Sequence, residues 1–437
     1  MKIGELLGNS QYGISISMNE DRIGYPIYRM NEISKMLTKS EVEKYADINK
    51  NELNSFKLND KDVLFNRTNS LEWVGRTGIF YKNSEKDFIF ASYLVRFNTN
   101  EKFCLPEYLT AFLNSKFGVE QLKSRVRESI NQANINPEEV KEIEIPLLDM
   151  KLQKLVESRF LIANKNKIIS ENLYKEAQEI LLKELNLDNY KLLEENISIK
   201  SLSASFLESG RLDAEYYQPK YDDIIKKIKI YKNGYGKLKD YIKEYSTGFA
   251  FKSCDYIEDG VVKLIRINNI INGDLDIKNS VSISNEVAEQ TTKDFVKKYD
   301  ILISMSGTIG SACVIRDDIE AVVNQRIFRF SVKDYDSFVL ALILNSRIGK
   351  TQLDRIGTGG VQTNISSNDI KNILVPKIDF NIQQKISEKI QKSFYLKERS
   401  EQLLENSVKA VEIAIEKTEE EAVKYLEEEI KKINIEI

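Results

Sequence analysis

The residues with the most usable chemistry are hydrogen-bond donors gathered in short runs. Asn66-Arg67-Thr68-Asn69 follows a strand-like stretch and continues through Glu72-Trp73 to Gly75-Arg76. Farther along come Ser304-Met305-Ser306-Gly307-Thr308, Asn324-Gln325-Arg326 and Gly357-Thr358-Gly359-Gly360-Val361-Gln362-Thr363. Arg donates to guanine and to phosphate, and Asn can read adenine with two bonds. Small hydroxyl residues let a backbone come close to phosphate. The candidate DNA-contacting residues are therefore Arg29, Asn66, Arg67, Thr68, Asn69, Arg76 and Gln132, then Arg266, Ser304, Ser306, Thr308, Asn324, Arg326, Thr358, Gln362 and Thr363. Any one of them alone reads equally well as a solvated turn; the weight lies in the clustering.

Catalytic constellations are missing. The 437 residues include no histidine, which excludes His triads, His general bases and His metal ligands. Cys104, Cys254 and Cys313 are too scattered for a zinc site or disulfide framework, and a reducing cytoplasm suits them. No G-x-G-x-x-G, Walker lysine loop or Pro-Pro pair occurs, and Glu139-Val140-Lys141 is a triplet that chance supplies in a charged chain. We expect no catalytic residue, metal or cofactor in this chain, and no membrane segment or secretory signal. Lys+Arg of 64 against Asp+Glu of 67 gives a net charge of -3, so bulk charge does not announce a nucleic-acid binder. Phosphate contact would need local patches or a basic partner.

The elements that must position these runs come in duplicate. Asn131-Gln132-Ala133-Asn134-Ile135-Asn136 aligns with Val361-Gln362-Thr363-Asn364-Ile365-Ser366, and Pro146 with Pro376. Leu113-Asn114-Ser115-Lys116-Phe117-Gly118 aligns with Leu344-Asn345-Ser346-Arg347-Ile348-Gly349. Asp62-Val63-Leu64-Phe65 sits opposite Asp300-Ile301-Leu302-Ile303, and Arg29 opposite Arg266. The period is too long for a solenoid and indicates a tandem pair of domains. Each begins as mixed α/β and ends, after the proline, in a long heptad-patterned helix.

In the first helix the seam runs Leu152, Leu155, Ile162, Ile169, Leu173 and Ile180, broken by Arg159 and Asn166. In the second it runs Leu404, Val408, Val411, Ile415, Thr418 and Ala422. The expected fold is α+β: two mixed α/β domains joined by two long antiparallel coiled-coil helices, with a pseudo-two-fold repeat. The expected boundaries are 1–149 and 236–380 for the two heads, 150–186 and 381–437 for the spacer helices, and 187–235 for a connector with a short helix. Two heads on a rigid spacer suit a bipartite DNA site.

These features together resemble the specificity subunit of a Type I restriction-modification system. The resemblance rests on Phe65-Asn66-Arg67-Thr68-Asn69 with Val74-Gly75-Arg76, on Ala91-Ser92-Tyr93-Leu94-Val95-Arg96, and on Asp300 to Thr308 with Asn324-Gln325-Arg326-Ile327. Arg211-Leu212-Asp213-Ala214-Glu215-Tyr216-Tyr217 looks like the lead-in to such a domain; the first head lacks one, which leaves open whether its N-terminal edge is covered by C-terminal residues. The resemblance implies a non-catalytic subunit that binds double-stranded DNA. It implies two methyltransferase subunits docked on the helices, through Arg159, Asn166, Leu173, Leu404, Val408, Val411 and Ile415, and restriction subunits in the same assembly. S-adenosylmethionine, ATP and Mg²⁺ would belong to those partners. A module of a Type IIB or IIG restriction enzyme, or a coiled-coil adaptor that binds no DNA, are the alternatives.

Overall fold

Asp62-Val63-Leu64-Phe65-Asn66 is a continuous buried run, the pattern of a strand covered on both faces. The computed structural model describes residues 1–435 apart from 131, 192, 194, 196, 272 and 358–363, with side chains up to Glu429. It divides by packing into unit 1, Met1–Glu171 with Phe394–Ile437, and unit 2, Asn172–Ser393.

Unit 1 is built on a six-stranded sheet. Its strands are β1 (Leu7–Tyr12), β2 (Ile33–Ser34), β3 (Leu37–Thr38), β4 (Asp62–Asn66), β6 (Thr77–Phe80) and β7 (Leu94–Thr99), ordered β1-β7-β4-β6-β3-β2. A smaller sheet orders β8 (Arg127–Ser129), β9 (Gln132–Asn134) and β5 (Thr68–Asn69). Helix α1 (Pro106–Leu113) opens on proline, whose missing N–H costs nothing in a first turn. Ser115 caps α2 (Lys116–Lys123) by accepting from the Gly118 N–H. A Cβ at Gly118 would lie 2.1 Å from the Phe112 carbonyl oxygen, so only glycine permits this tight corner.

Unit 2 orders β11 (Ile242–Ser246), β14 (Ile327–Val332), β12 (Ile301–Ser304) and β13 (Ala312–Val314) as β11-β14-β12-β13. A second four-stranded sheet forms around Val262–Ile265. Helix α3 (Pro219–Lys229) precedes β10 (Tyr235–Lys237), which pairs with β15 (Leu374–Pro376). Helices α4 (Ser337–Asn345) and α5 (Arg347–Gly357) meet at Gly349, where a Cβ would lie 2.4 Å from the Leu344 carbonyl oxygen.

The same hydrogen bonds recur in the two units. Arg96 pairs with buried Asp62 at 3.2 Å, and Arg329 with buried Asp300 at 2.7 Å. The Tyr108 hydroxyl donates to the Pro146 carbonyl at 2.6 Å, and that of Tyr335 to Pro376 at 2.9 Å. Gln153 accepts from the Leu105 N–H and donates to the Leu148 carbonyl; Gln383 does the same with Asp336 and Ile378. Asn114 donates to the Thr77 carbonyl, and Asn345 to that of Ala312.

Two long helices, Met150–Glu184 of 35 residues and Phe380–Glu416 of 37, each contribute residues to both units. At 1.5 Å per residue each is about 50 Å long. In unit 1, Leu152, Val156, Phe160 and Ala163 share a core with Leu404, Ala410, Val411 and the residues of α1. The Ser400 hydroxyl donates to the Ala163 carbonyl at 2.7 Å, a reach that requires close backbones.

Two details of the helices depart from expectation. The buried line of step seven in the first helix is Val156, Ala163, Ser170 and Ala177, whereas Ile162 is 45% exposed and Leu155 and Ile169 are half-buried. Small side chains form this seam, so a search for large apolar residues misplaces it. The second heptad run also stops early. The helix ends at Glu416, Thr418 accepts from the Glu421 N–H, and the C-terminal helix Glu419–Ile435 begins there. That helix buries Ala422 and Leu426 in unit 1, and the Tyr425 hydroxyl donates to Asn406 at 3.0 Å. C-terminal residues thus complete unit 1, whose N-terminal ammonium donates to the Ile145 carbonyl. Among the described residues no helix is long and apolar enough to cross a membrane.

Candidate nucleic-acid interface

In unit 1 the donor run is positioned by the turn that leaves β4. Asn66 is fully buried; its side-chain oxygen accepts from the Thr68 N–H at 3.3 Å, and its peptide bonds Gly75 and Arg76. Gly75 takes φ +89, a conformation that a side chain would strain. Asn66 therefore shapes the loop and does not reach a groove, contrary to its reading as a base contact. Thr68 is buried as well and donates to Asn134 on β9 at 2.5 Å, which ties β5 to the neighbouring strand. Asn69 caps its own turn through the Ser70 N–H.

The two arginines behave differently. The Arg67 guanidinium lies 5.0 Å from the Tyr12 ring centre, and its Nε has no protein partner. Its backbone is held by the Tyr93 carbonyl and the Ile135 N–H. The Arg76 guanidinium lies 3.7 Å over the ring of Trp73 and donates to the Ile33 carbonyl. Burial lowers the Arg76 pKa, but an arginine remains cationic at neutral pH. Tyr12, Trp73 and Tyr93 are all exposed, and two of these rings each carry an arginine guanidinium. Gln132 is exposed on β9, and Asn131 lies outside the described residues. Arg29 does not join them: Glu32 holds its guanidinium at 2.6 Å and Glu43 at 3.6 Å, which leaves little free charge for phosphate.

Unit 2 gathers a different set of side chains, and Ser306, like Ser304, is buried. Ser304 donates to the Thr308 carbonyl, so it too spends its side chain on its own turn. Ser306 bridges to Asn364, and Arg326 donates to the Asn364 side chain at 2.6 Å. The Met305 N–H donates to the Arg326 carbonyl, with Arg326 at φ +70. Asn324 caps the Gln325 N–H, and a Cβ at Gly248 would meet the Asn324 carbonyl oxygen at 2.0 Å. Thr308, Arg326 and Asn364 are exposed. Arg266 lies 5.6 Å from the Tyr256 ring, with a buried, unpartnered Nε. Thr358, Gln362 and Thr363 lie outside the described residues.

Sequence reading missed Tyr12, whose ring supports Arg67 from β1, a strand distant in the chain. It also missed Asp62 with Arg96 and Asp300 with Arg329, the buried pairs beneath the two loops. Burial pushes the Asp62 carboxyl up even though Asn59, Arg96 and Asn98 favour its charged form.

Residues 232–410, which contain the unit 2 surface, match the family profile of the Type I restriction modification DNA specificity domain. Over that stretch the chain is similar to Type I restriction-modification DNA specificity domains. The Type I restriction enzyme EcoKI specificity subunit of Escherichia coli K12 is 29% identical over 137 residues, 31% of this chain and 29% of that protein. The EcoBI specificity subunit of Escherichia coli is 28% identical over 160 residues, 36% of this chain and 33% of that protein. The matched stretch thus spans about a third of these relatives. A solved Type I restriction-modification S subunit from M. genitalium is 13% identical, with a TM-score of 0.42 and coverage of 98% of this chain and 95% of that one.

On the helices, Leu404 and Val411 are core residues of unit 1. Arg159 is buried and donates to the Leu426 carbonyl. Each of these three is already packed within unit 1. Asn166, Leu173, Val408 and Ile415 are half-buried.

Proposed function

We propose that this chain is the DNA-reading subunit of a Type I restriction-modification complex. The observation that carries the reading is the specificity-domain match over residues 232–410, which takes in Thr308, Arg326 and Asn364. Each unit reads one half of a bipartite, asymmetric site. Unit 1 offers Arg67 and Arg76 on their aromatic supports, while unit 2 offers hydroxyl and amide groups, so the two half-sites differ in sequence. The recurring hydrogen bonds support a duplicated, pseudo-two-fold design with heads at 1–149 and 236–380, and a helix pair that sets the gap. Methyltransferase subunits dock on that pair; restriction subunits join the same assembly. The chemistry is theirs: S-adenosylmethionine for adenine methylation, with ATP and Mg²⁺ for restriction. This chain contributes the address.

The test is co-expression with the neighbouring methyltransferase gene, followed by sequencing of modified bases in host DNA. Methylated adenine in a single interrupted, asymmetric motif is the expected result. An assembled complex that binds S-adenosylmethionine and leaves DNA unmodified would refute the reading.

A further inference from the structure

The two units build the same backbone junction and load it with different side chains. In unit 1 the ladder of β4 and β7 pairs Asn66 with Leu94. One rung farther on, the Arg67 N–H donates to the Tyr93 carbonyl at 3.0 Å, and the Arg67 carbonyl accepts from the Ile135 N–H at 2.9 Å. In unit 2 the ladder of β12 and β14 pairs Ser304 with Ile327. One rung farther on, the Met305 N–H donates to the Arg326 carbonyl at 2.8 Å, and the Met305 carbonyl accepts from the Ile365 N–H at 3.0 Å. Arg67 thus corresponds to Met305, and Tyr93 to Arg326.

The arginine has crossed the ladder between the two units. Each junction keeps one guanidinium and sets one large side chain opposite it, Tyr93 in unit 1 and Met305 in unit 2. Arg326 is exposed and donates to Asn364 at 2.6 Å. It takes φ +70, a conformation that costs a residue other than glycine and that Tyr93 avoids. Strain of this kind persists where function needs the side chain. Tyr93 is exposed and Met305 only half-buried, so neither is a core residue. Residues opposite each other on an antiparallel ladder hold their Cβ atoms about 5 Å apart. Base pairs are stacked about 3.4 Å apart, so the two side chains of one junction reach the same or adjacent base pairs. Arginine suits the O6 and N7 of guanine, whereas a ring face or a thioether suits the thymine 5-methyl group, the apolar feature of the major groove.

We propose that Tyr93 and Met305 are specificity-determining residues. Each packs on the 5-methyl group of a thymine next to the guanine that Arg67 or Arg326 reads. This inference rests on the DNA-reading function proposed above and deepens it by two residues chosen for apolar contact.

The probe is duplex DNA carrying the methylated motif, with uracil in place of one thymine at a time. The full chain, assembled with its methyltransferase subunits, methylates each duplex in turn. The replacement removes only a methyl group. In each half-site one thymine next to a guanine should be sensitive, its loss slowing methylation of scarce DNA about fourfold. Tyr93→Ser should abolish that sensitivity in one half-site and Met305→Ser in the other, while Tyr93→Phe should keep it. The measure is a ratio of rates on two DNAs, so it does not depend on how much of a variant is folded. No sensitivity in the parent, sensitivity that survives the serine substitutions, or a half-site with no thymine beside a guanine on either strand would overturn the inference and leave DNA reading standing. A parent complex that methylates no DNA would refute both.

Discussion

Arg67 is held at its backbone on both sides and at its guanidinium by Tyr12, so its position is fixed before any ligand arrives. A pre-placed arginine with an unpartnered Nε loses little entropy on meeting a guanine or a phosphate. Arg67→Ala should therefore cost about 1–3 kcal/mol of binding at one half-site and leave the other unchanged; methylation of DNAs carrying single half-site changes would read this out. Equal loss at both halves would remove Arg67 from the groove. Glu244 yields a prediction in pH. Its carboxylate bonds Lys297 at 2.6 Å and Arg329 at 3.2 Å, and these partners hold its pKa down to about 2. The unfolded chain binds that proton more readily, so the stabilisation is full above the ordinary carboxylate range and fades as pH falls toward about 2. Glu244→Gln should lower the melting temperature most at neutral pH, and the gap to the parent should close in acid. At this scale the sequence displayed the donor runs but not their division of labour. Asn66 and Ser304 look like readers, yet both are consumed by turns that only the fold reveals.

The long helices were legible as elements, because neither carries Pro or Gly and both follow a proline at the same point of a repeat. Their faces were less legible. Step-of-seven counting over large apolar residues selects Leu155, Ile162 and Ile169, whereas the buried line is Val156, Ala163, Ser170 and Ala177. Small residues are poor markers of hydrophobic periodicity but are what a close helix contact requires. Ala163→Leu should then strain the contact that admits the Ser400 hydroxyl and cost about 1–3 kcal/mol, measured by urea unfolding. Ile162→Ala, at an exposed position, should cost far less. The reverse order would restore the seam expected from large residues. The stop at Glu416 was also readable in principle: Thr418-Glu419-Glu420-Glu421 is a Thr followed three residues later by Glu, a helix-start signature that a heptad count passes over.

Over the whole molecule the boundaries between packing units fall inside the long helices, after Glu171 in one and after Ser393 in the other. Whole heptads inserted at those two points would leave the internal packing of each unit intact and lengthen only the spacer. One heptad adds about 10 Å. That is close to three base pairs, and it would turn the second half-site well out of phase with its reader. Three heptads add about 32 Å, close to one full turn of B-DNA, and return the half-site to nearly its original orientation. If the helix pair sets the gap, one heptad in each helix should depress methylation strongly. Three should restore it, on a motif with the same two half-sites and a gap longer by about nine base pairs. Sequencing modified bases in cells that express each variant with its partners distinguishes the cases. Unchanged methylation of the original motif by either variant would mean that the gap is fixed elsewhere, by the partner subunits or by the DNA.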